Sequence, residues 1–577
     1  MIKICSSLLF FAILTGSLHA QVLIKNTNVV DVINRKLLSG YDALALDGKI
    51  VSVEKGKQYK LPAGTVVIDG SGKYLIPGLH DAHVHFFQSG SLYARPDVID
   101  LRKNRPYAAE IKYSHNNMED FLRRYLATGI TSVTDVGSTY NFLNRRESFA
   151  NKFYSPEIRM TGALLTTYVP AAYKDLGNDA PFIEMKTEEG VRQSVRELKA
   201  GKADFIKIWY IVLDKDKEAG AKKNLPLVKA VIDEARKNNM RVAVHATEMI
   251  TAQLAVEAGA DFLVHNIENE RVTPAFTALL KKKKTVLCPT MVVGNNYMKS
   301  LGRTYHFTHD ELLLTNPMTA ASLFEFPFPD TTLGKAYMKN VTSSKAVSRQ
   351  AYTDSLLAIN LKSLHDAGVL IATGTDAGNI GTQHAGSYFS ELQAMQDAGL
   401  GLWDLMVSST INGAKATGKQ DITGSVSAGK LADMVLLDAN PLDSLENWRK
   451  INSIIRRGLV IRPDTLIQNS PELLAQQQLN GYNAHDIDAF LAPYAEDAEI
   501  YDLSGKIIMK GKAEMRKNYE RILKIPGLYC RLVNRIVQDN IVIDHEELTA
   551  NSMKKPKYGI AIYVTAKGKI TKVYFPE

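Results

Sequence analysis

Cysteine is scarce in this sequence, with three residues in 577. Cys5 precedes the apolar run at the N-terminus, which is too early for a lipid-attachment site. Cys288 and Cys530 fall in regions that we assign below to different domains. A disulfide framework is therefore excluded, and we expect two free, buried thiols.

Long hydrophobic runs are absent beyond the N-terminus, so no segment is expected to span a membrane. Residues 1–20 have the layout of a secretory signal peptide. Lys3 precedes an apolar run from Leu8 to Leu14, and polar and small residues follow up to Ala20. We expect cleavage after this segment and an exported protein, either periplasmic or extracellular.

An excess of charge of one sign is also missing. The formal net charge is +9 for the whole chain, and the densest basic run, Lys281 to Lys284, follows an apolar helical stretch. Lysines suit the C-terminal end of a helix dipole, and no aromatic residues interleave with them as they would in a nucleic-acid-binding stripe. We therefore expect no nucleic-acid partner.

An unusual strand ending is present at Pro77 to His85, PGLHDAHVH. In an extended strand residues i and i+2 face the same side, so His83 and His85 can reach a single point. Taken alone, the pattern is also that of a solvated strand end with incidental histidines. Partners elsewhere in the chain must decide between the two interpretations.

Residues 80 to about 415 alternate short apolar strands with helical stretches. The eight predicted strands end near His85, Asp135, Gly162, Lys207, His245, His265, Thr290 and Asp376. Eight such units predict an α/β fold, a closed (β/α)8 TIM barrel over residues 76–423, with chemistry at the C-terminal ends of its strands. Two β-rich pieces, residues 21–75 and 424–466, flank the barrel, and we expect them to pair into one small composite β-sandwich.

A second pair of histidines ends consecutive predicted strands. His245 ends MRVAVH and His265 ends GADFLVH, and neighbouring strands lie about 5 Å apart, so these imidazoles can converge. Asp376, in GVLIATGTDAG, ends the eighth strand. That strand closes beside the first, which brings the carboxylate close to His83 and His85.

Lys207 ends the apolar fourth strand, KADFIKIWYIV. On its own it would be a lysine whose stem snorkels to solvent. A desolvated lysine, however, has a lowered pKa, and its neutral amine can capture carbon dioxide as a carbamate, an oxygen ligand that bridges two metal ions. Four imidazoles, this carbamate and one aspartate form a complete ligand shell for two divalent ions such as zinc.

These motifs, together with GSVSAGKLADMVLLDANPL, resemble the amidohydrolase superfamily. They are most similar to its binuclear, carbamylated-lysine branch of secreted prolidase-like or imidazolonepropionase-like hydrolases, and the similarity covers about residues 21 to 466. The resemblance implies two groups of metal ligands with one bridge: His83, His85 and Asp376 for one ion, His245 and His265 for the other, and Lys207 between them. His80 departs from the family pattern, either as a partner of a ligand or as a core histidine.

The resemblance also implies a mechanism and a substrate class. A hydroxide bridging the metal ions attacks a polarised carbonyl, and Asp376 takes the proton and delivers it to the leaving nitrogen. The substrate is then a small-molecule amide, dipeptide or cyclic amide. Tyr210 and His384, which follow the fourth and eighth strands, are expected substrate contacts. The segment from about Met291 to Lys345 is far longer than a usual βα connection, and it is either a lid or a loop packed against the barrel.

The pattern changes past residue 470, and residues 472–577 are expected to form a separate α+β domain. YNAHDIDAFLAPYAEDAEIYDLSGKIIMKGKAEMRKNYE and IAIYVTAKGKITKVYF resemble the cone-shaped nuclear transport factor 2-like or SnoaL-like fold, some members of which are ketosteroid isomerases. Asp502 falls where their general base lies, but Gln478 and Ile560 fall near the positions of their oxyanion donors. We therefore expect a binding or dimerisation module, through which the chain forms a homo-oligomer, instead of a second enzyme.

Three functions remain open at this point. The leading one is an exported, metal-dependent amidohydrolase that acts on carbon-nitrogen bonds. The alternatives are a mononuclear deaminase or ring-opening hydrolase, against which Lys207 argues, and a non-catalytic ligand-binding protein on a degenerate barrel, against which the intact ligand set argues.

Overall fold

The computed structural model describes residues 21–325 and 331–575. The predicted signal peptide, residues 1–20, lies outside these ranges. Within them, no helix is both long enough and apolar enough to cross a bilayer. The predicted thiols of Cys288 and Cys530 are confirmed as free and buried.

The chain begins with five strands of a mixed sheet. They are β1 (Val22–Asp31), β2 (Lys36–Leu46), β3 (Lys49–Lys55), β4 (Val66–Asp69) and β5 (Tyr74–Pro77).

The barrel region follows, and its described residues form ten strands and fourteen α-helices. The strands are β6 (Leu79–Val84), β7 (Ile130–Asp135), β8 (Glu157–Met160), β9 (Leu164–Thr166), β10 (Phe182–Glu184), β11 (Ile206–Trp209), β12 (Val242–His245), β13 (Phe262–Val264), β14 (Val286–Cys288) and β15 (Leu370–Ile371). The helices are α1 (Tyr107–Ala127), α2 (Tyr140–Arg146), α3 (Glu188–Ala200), α4 (Lys217–Lys237), α5 (Met249–Ala258), α6 (Pro274–Lys283), α7 (Val293–Gly302), α8 (His309–Leu314), α9 (Pro317–Leu323), α10 (Thr331–Val341), α11 (Ser344–Asp366), α12 (Tyr388–Asp397), α13 (Leu402–Val407) and α14 (Gly413–Ala416).

The barrel strands do not form the closed ladder that we predicted. They pair in parallel as two sheets, β6-β7-β8 and β10-β9-β11-β12-β13-β14-β15. One interruption lies in the third predicted strand, where the chain kinks at Gly162 (φ 71°). The kink splits this strand in two, so that β8 pairs with β7 and β9 pairs with β11.

The second interruption lies where the eighth strand meets the first. Beyond β15 the chain approaches β6 through isolated backbone hydrogen bonds, from the Asp376 N–H to the His83 carbonyl (2.7 Å) and from the His85 N–H to the Ala377 carbonyl (2.8 Å). The approach requires glycine at Gly374, because a Cβ there would lie 2.7 Å from the His83 nitrogen. The predicted strand order therefore holds, whereas a continuous hydrogen-bonded closure does not.

Three later strands complete the first sheet: β16 (Met434–Leu437), β17 (Ile451–Arg456) and β18 (Leu459–Ile461). Because β16 pairs with β5, the two flanking pieces do join. They form one eight-stranded sheet, β18-β17-β16-β5-β1-β2-β3 with β4 beside β1, in place of the two packed sheets of a sandwich. The reason is that β1 changes partner around Asn26 (φ 55°), from β4 in its first half to β5 in its second.

The C-terminal domain places three helices against one six-stranded sheet of order β20-β19-β24-β23-β22-β21. Its elements are α15 (Pro471–Asn483), α16 (Ile487–Leu491), β19 (Tyr494–Asp502), β20 (Ile507–Lys510), α17 (Lys512–Ile522), β21 (Tyr529–Gln538), β22 (Ile541–Thr549), β23 (Lys557–Ala566) and β24 (Lys569–Phe575). Leu474, Phe490, Met515 and Tyr563 belong to its core. This is an α+β fold with its own hydrophobic core, as expected.

Candidate functional site

Two histidines and one aspartate meet where β6 ends. Asp376 Oδ1 lies 3.1 Å from His83 Nε2 and 3.0 Å from His85 Nε2, and the two imidazole nitrogens are 3.2 Å apart. Atoms that share one metal ion at about 2.0–2.2 Å have separations of this size. The strand alternation that predicted convergence of His83 and His85 is therefore seen directly in the geometry.

The histidines of the next strands lie beside this group. The ring centroids of His265 and His83 are 5.0 Å apart, and those of His265 and His245 are 4.4 Å apart. His83, His265 and Asp376 each offer one ligand atom, and these atoms all lie within 4.8 Å of one another. The four imidazoles thus occupy one region at the mouth of the barrel.

Two buried atoms of this group lack a well-aligned hydrogen bond. Within the described ranges, His83 Nδ1 takes part in none, and Asp376 Oδ1 is approached by the Nε2 atoms of His83 and His85 at 3.1 and 3.0 Å, but not in hydrogen-bond geometry. Leaving a buried carboxylate oxygen without a donor costs about 1–3 kcal/mol or more. A cation held between Asp376 Oδ1 and the Nε2 atoms of His83 and His85 would offset that cost, and the donor set suits a divalent ion such as zinc.

Neighbouring groups orient the ligand histidines. His85 Nδ1 lies 2.7 Å from the Gly137 carbonyl, which can only accept, so Nδ1 carries the proton and Nε2 keeps its lone pair. His265 Nδ1 lies 2.7 Å from the Thr290 hydroxyl. His265, Thr290 and Asp376 all adopt positive φ angles of 78°, 47° and 61°. Such strained backbone concentrates at functional sites.

Burial also sets the protonation of the ligands. It lowers the pKa of His83 and His245 well below the ordinary value and that of His265 to about 4, so all three are neutral at pH 7. Burial alone would raise the pKa of Asp376, but His83 and His85 hold it well below its usual range. The site therefore presents neutral imidazoles and an ionised carboxylate, the states in which they bind metal.

Lys207 lies on β11 in the same cavity wall, with only 1% of its surface exposed. Its amine has no hydrogen bond or ion pair to any described residue. Burial lowers its pKa to about 7, although Asp376 and Asp135 partly oppose this shift. A large fraction of the amine is therefore neutral near pH 7, as the carbamate hypothesis requires.

A cavity of about 270 Å³ opens above these residues. Trp209 and Phe182 form an aromatic wall on one side, with ring centroids 4.9 Å apart and planes 22° from parallel. Trp209 also meets the His245 ring edge-on at 6.0 Å. An apolar, flat surface therefore stands directly beside the ligand cluster.

The structure does not bring the two predicted substrate contacts to the cavity. The Tyr210 hydroxyl donates to the Ala221 carbonyl, behind the strand. His384 is buried between the Phe86 and Phe121 rings, and its Nε2 lies 2.8 Å from the Gln88 carbonyl. His80 is a core histidine, 2.7 Å from the Thr134 hydroxyl.

Strand periodicity could have found Trp209 in place of Tyr210. Residues i and i+2 of a strand share a face, so a strand that points Lys207 into the barrel also points Trp209 there. A second feature, the network of Arg95, Tyr297 and Asn379 in the cavity wall, had no sequence signal. Arg95 donates to the Tyr297 hydroxyl at 2.9 Å and to Asn379 Oδ1 at 2.5 Å, and these residues are distant in sequence.

The C-terminal domain holds its polar groups differently. Asp502 is the last residue of β19, and its Oδ1 accepts from the Ser504 hydroxyl and the Lys506 N–H of the following turn at 2.7 and 3.0 Å. Gln478 donates to the Tyr563 hydroxyl at 2.9 Å, which in turn lies 3.2 Å from Glu546 Oε1. No oxyanion donor faces Asp502 among these contacts.

Comparisons with known proteins match both parts of the chain. Residues 74–461 match the model of the amidohydrolase family, and residues 475–573 match that of the SnoaL-like domain. An imidazolonepropionase from Fusobacterium nucleatum subsp. nucleatum is 24% identical over 436 residues, covering 70% of this chain and 85% of the relative. An adenine deaminase from Roseobacter denitrificans is 37% identical over 81 residues, only 14% of this chain and 13% of that enzyme.

Solved structures agree at the level of the fold. A Xaa-Pro dipeptidase with bound methionine in the active site aligns with a TM-score of 0.55 and 22% identity, covering 76% of this chain and 99% of that one. Phenylurea hydrolase B aligns with a TM-score of 0.59 and 19% identity, covering 78% and 98%. At these identities the likeness concerns architecture alone. Because the family model covers well over half of its length, the chain belongs to the amidohydrolase family and carries a SnoaL-like domain at its C-terminal end.

Proposed function

We propose that this chain is an exported, metal-dependent hydrolase that cleaves carbon-nitrogen bonds in amides, dipeptides or cyclic amides. The observation that carries the proposal is the convergence of buried Asp376 Oδ1 with two imidazole nitrogens, at 3.1 and 3.0 Å, without a well-aligned hydrogen bond. A structural carboxylate in a degenerate barrel would be expected to find a donor.

Six side chains are proposed to hold two divalent ions, zinc in our assignment: His83, His85, His245, His265, Asp376 and carbamylated Lys207. The carbamate forms when the neutral Lys207 nitrogen adds to the carbon of dissolved carbon dioxide and releases a proton. When bound, the ions would polarise the substrate carbonyl and acidify water at the site.

The residues of the chain then have distinct tasks. Asp376, ionised and beside the ligand imidazoles, accepts the proton of the attacking water and delivers it to the leaving nitrogen. Trp209 and Phe182 present a flat apolar surface to the group next to the scissile bond. We propose that this wall favours substrates with a ring or aromatic side chain there.

Metal analysis and a substrate panel test the proposal together. The purified, zinc-loaded protein should hold two ions per chain and hydrolyse some N-acyl amino acids, dipeptides or cyclic amides. One ion with release of ammonia from aminopurines would support a deaminase instead, and no ion with no turnover would support a binding protein.

The aromatic wall has its own test. Trp209→Ala should lower kcat/KM about tenfold for ring-bearing substrates, because roughly 1.4 kcal/mol of apolar contact is lost. Substrates with small aliphatic groups should change less. Tyr210→Phe, which alters the neighbouring side chain on the other face, is the matched control and should keep both activities. Equal losses for both substrate classes would contradict the proposed role of the wall.

Export and self-association are further parts of the proposal. A mature N-terminus near Gln21 in periplasmic or secreted material would support export, and an intact N-terminus on cytoplasmic protein would oppose it. The C-terminal sheet exposes Ile536, Tyr558 and Ile560 by 57%, 62% and 41%. We propose that a second copy covers this face, so Ile560→Asp should shift a dimer to a monomer in light scattering.

A further inference from the structure

The C-terminal domain is packed against a part of the barrel region that walls the cavity. We call the segment from α7 through α11 the insert. Its first and last helices line the cavity, through Asn295 and Tyr297 on α7 and through Asp354 and Leu357 on α11. Its middle helices, α8 and α9, contact α15 and α16 of the C-terminal domain.

Helix α15 has no solvent-exposed face at its centre. Gln476, Gln477, Gln478, Leu479 and Asn480 are all at most 9% exposed. A helix at the surface of an independent domain would show a polar, solvated stripe. Here the helix is covered by its own sheet on one side and by the insert on the other.

Specific hydrogen bonds join the two parts. Asn480 is 3% exposed and donates from Nδ2 to the Pro317 carbonyl at the start of α9, at 2.7 Å. The Tyr529 hydroxyl donates to the Phe324 carbonyl at the end of the same helix. Both ends of α9 are therefore held by the C-terminal domain.

A buried arginine continues the connection into the barrel. Arg124 on α1 is fully buried, and it donates to the Thr315 carbonyl at 3.1 Å and to Asn469 Oδ1 at 2.7 Å. Asn469 in turn donates to Gln477 Oε1 on α15 at 2.9 Å. One guanidinium thus links the barrel, the insert and the segment that leads into the C-terminal domain.

We infer that the C-terminal domain positions the insert, and through it the cavity wall, with Asn480 as a positioning residue. A buried donor and acceptor separated from water are costly to leave unpaired, so α9 stays docked as long as α15 is in place. This role concerns the shape of the cavity and does not depend on which bond the enzyme cleaves.

The test compares two asparagines on one helix. Asn480→Ala removes the bond to the insert, whereas Asn483→Ala removes only the bonds to Cys530 inside the C-terminal domain, each 2.8 Å long. Hydrogen exchange by mass spectrometry should show faster exchange in α7, α9 and α11 for Asn480→Ala and not for Asn483→Ala. KM should rise about tenfold in the first variant with kcat and metal content unchanged, as expected for the loss of one buried hydrogen bond.

Two results would overturn the inference. The first is exchange in the insert that stays at the wild-type rate in Asn480→Ala. The second is equal acceleration in both variants, which would indicate general loosening of the domain. Asn480→Leu keeps a similar side-chain volume and introduces no charge while losing the donor to Pro317 and the acceptor for Gln476, so it repeats the test with little change in packing.

Discussion

Two clusters of buried polar side chains stand in this chain, and they differ in how their atoms are paired. At the barrel mouth, Asp376 Oδ1 meets two imidazole nitrogens at 3.1 and 3.0 Å without a well-aligned hydrogen bond, and His83 Nδ1 has no hydrogen bond to any described residue. In the C-terminal domain, Arg535 and Asp544 form a two-bond pair with both distances at 2.6 Å, and Arg535 also donates to Gln476 at 2.9 Å. The cluster at the barrel mouth therefore keeps nitrogen and oxygen lone pairs available to a ligand. In the C-terminal cluster, the positive and negative side chains are hydrogen-bonded to each other.

The difference separates a ligand site from a structural network. Buried polar groups are normally paired, so a carboxylate oxygen that meets two imidazole nitrogens without a well-aligned hydrogen bond indicates a missing partner. A mutually paired cluster needs none. By this criterion the barrel mouth is the candidate ligand site, and the polar interior of the C-terminal domain contributes to its stability.

The largest expected effect comes from removing the proposed bridge. Lys207→Ala should lose at least one metal ion and lower kcat/KM by roughly 1,000-fold or more, since metal ions contribute several kcal/mol of transition-state stabilisation. Metal content and hydrolysis should be measured on the same preparation, with Tyr210→Phe as control. Two ions and near-normal turnover would refute the carbamate and the two-metal assignment.

A smaller effect is expected from breaking the paired cluster. Asp544→Asn leaves the buried Arg535 guanidinium without its charge partner, and such a loss costs about 3–5 kcal/mol of stability. Denaturant unfolding should show the loss, whereas the number of bound metal ions should stay the same in native buffer. Loss of metal from this variant would contradict the interpretation that the C-terminal cluster is structural and separate from the metal site.

A third effect concerns the pH dependence of stability, through Glu391 and the two residues that precede α7. Glu391 accepts hydrogen bonds from the Met291 and Val292 N–H groups at 2.9 and 3.1 Å, and burial raises its pKa to about 8. Between the unfolded pKa of about 4.3 and this value the folded state binds more protons, so stability falls as pH rises.

Glu391→Gln should remove that part of the pH dependence, because the amide carries no charge. Its single oxygen accepts from only one of the two N–H groups, and the loss of the other hydrogen bond lowers stability by an amount that does not change with pH. Melting temperatures of both proteins should be recorded from pH 5 to pH 8. The wild type should lose stability relative to the variant across this window, and a constant difference would show that Glu391 does not titrate as argued.

The smallest effect is expected at Asp502, which is half-buried at the end of β19 in the C-terminal domain. Asp502→Asn should leave amide hydrolysis unchanged and alter stability by no more than about 0.5 kcal/mol. The full chain should also show no isomerisation of a 5-ene-3-ketosteroid. Turnover that disappears in Asp502→Asn would reveal a second active site.

Local periodicity predicted more of the site than of its surroundings. The sequence predicts that four imidazoles lie in one region of the molecule. The prediction follows from the spacing of His83 and His85 and from the strand-end positions of His245 and His265. On β11, residues i and i+2 share a face. A lysine at 207 that points into the barrel therefore indicates Trp209, and not Tyr210, as its neighbour in the cavity wall. The cavity wall contributed by Arg95 and Tyr297 depends on contacts between distant segments, for which a single sequence carries no signal.

The sequence by itself indicated the candidate ligand residues, the strand order and the existence of two parts of the chain, because each follows from short-range alternation of apolar and polar positions. Tertiary structure alone decided that the third strand divides at Gly162, that the flanking strands form one sheet, and that α15 closes over the insert. These outcomes depend on how backbones approach and bury one another across hundreds of residues. Packing of that kind is a property of the whole chain, so no local pattern contains it.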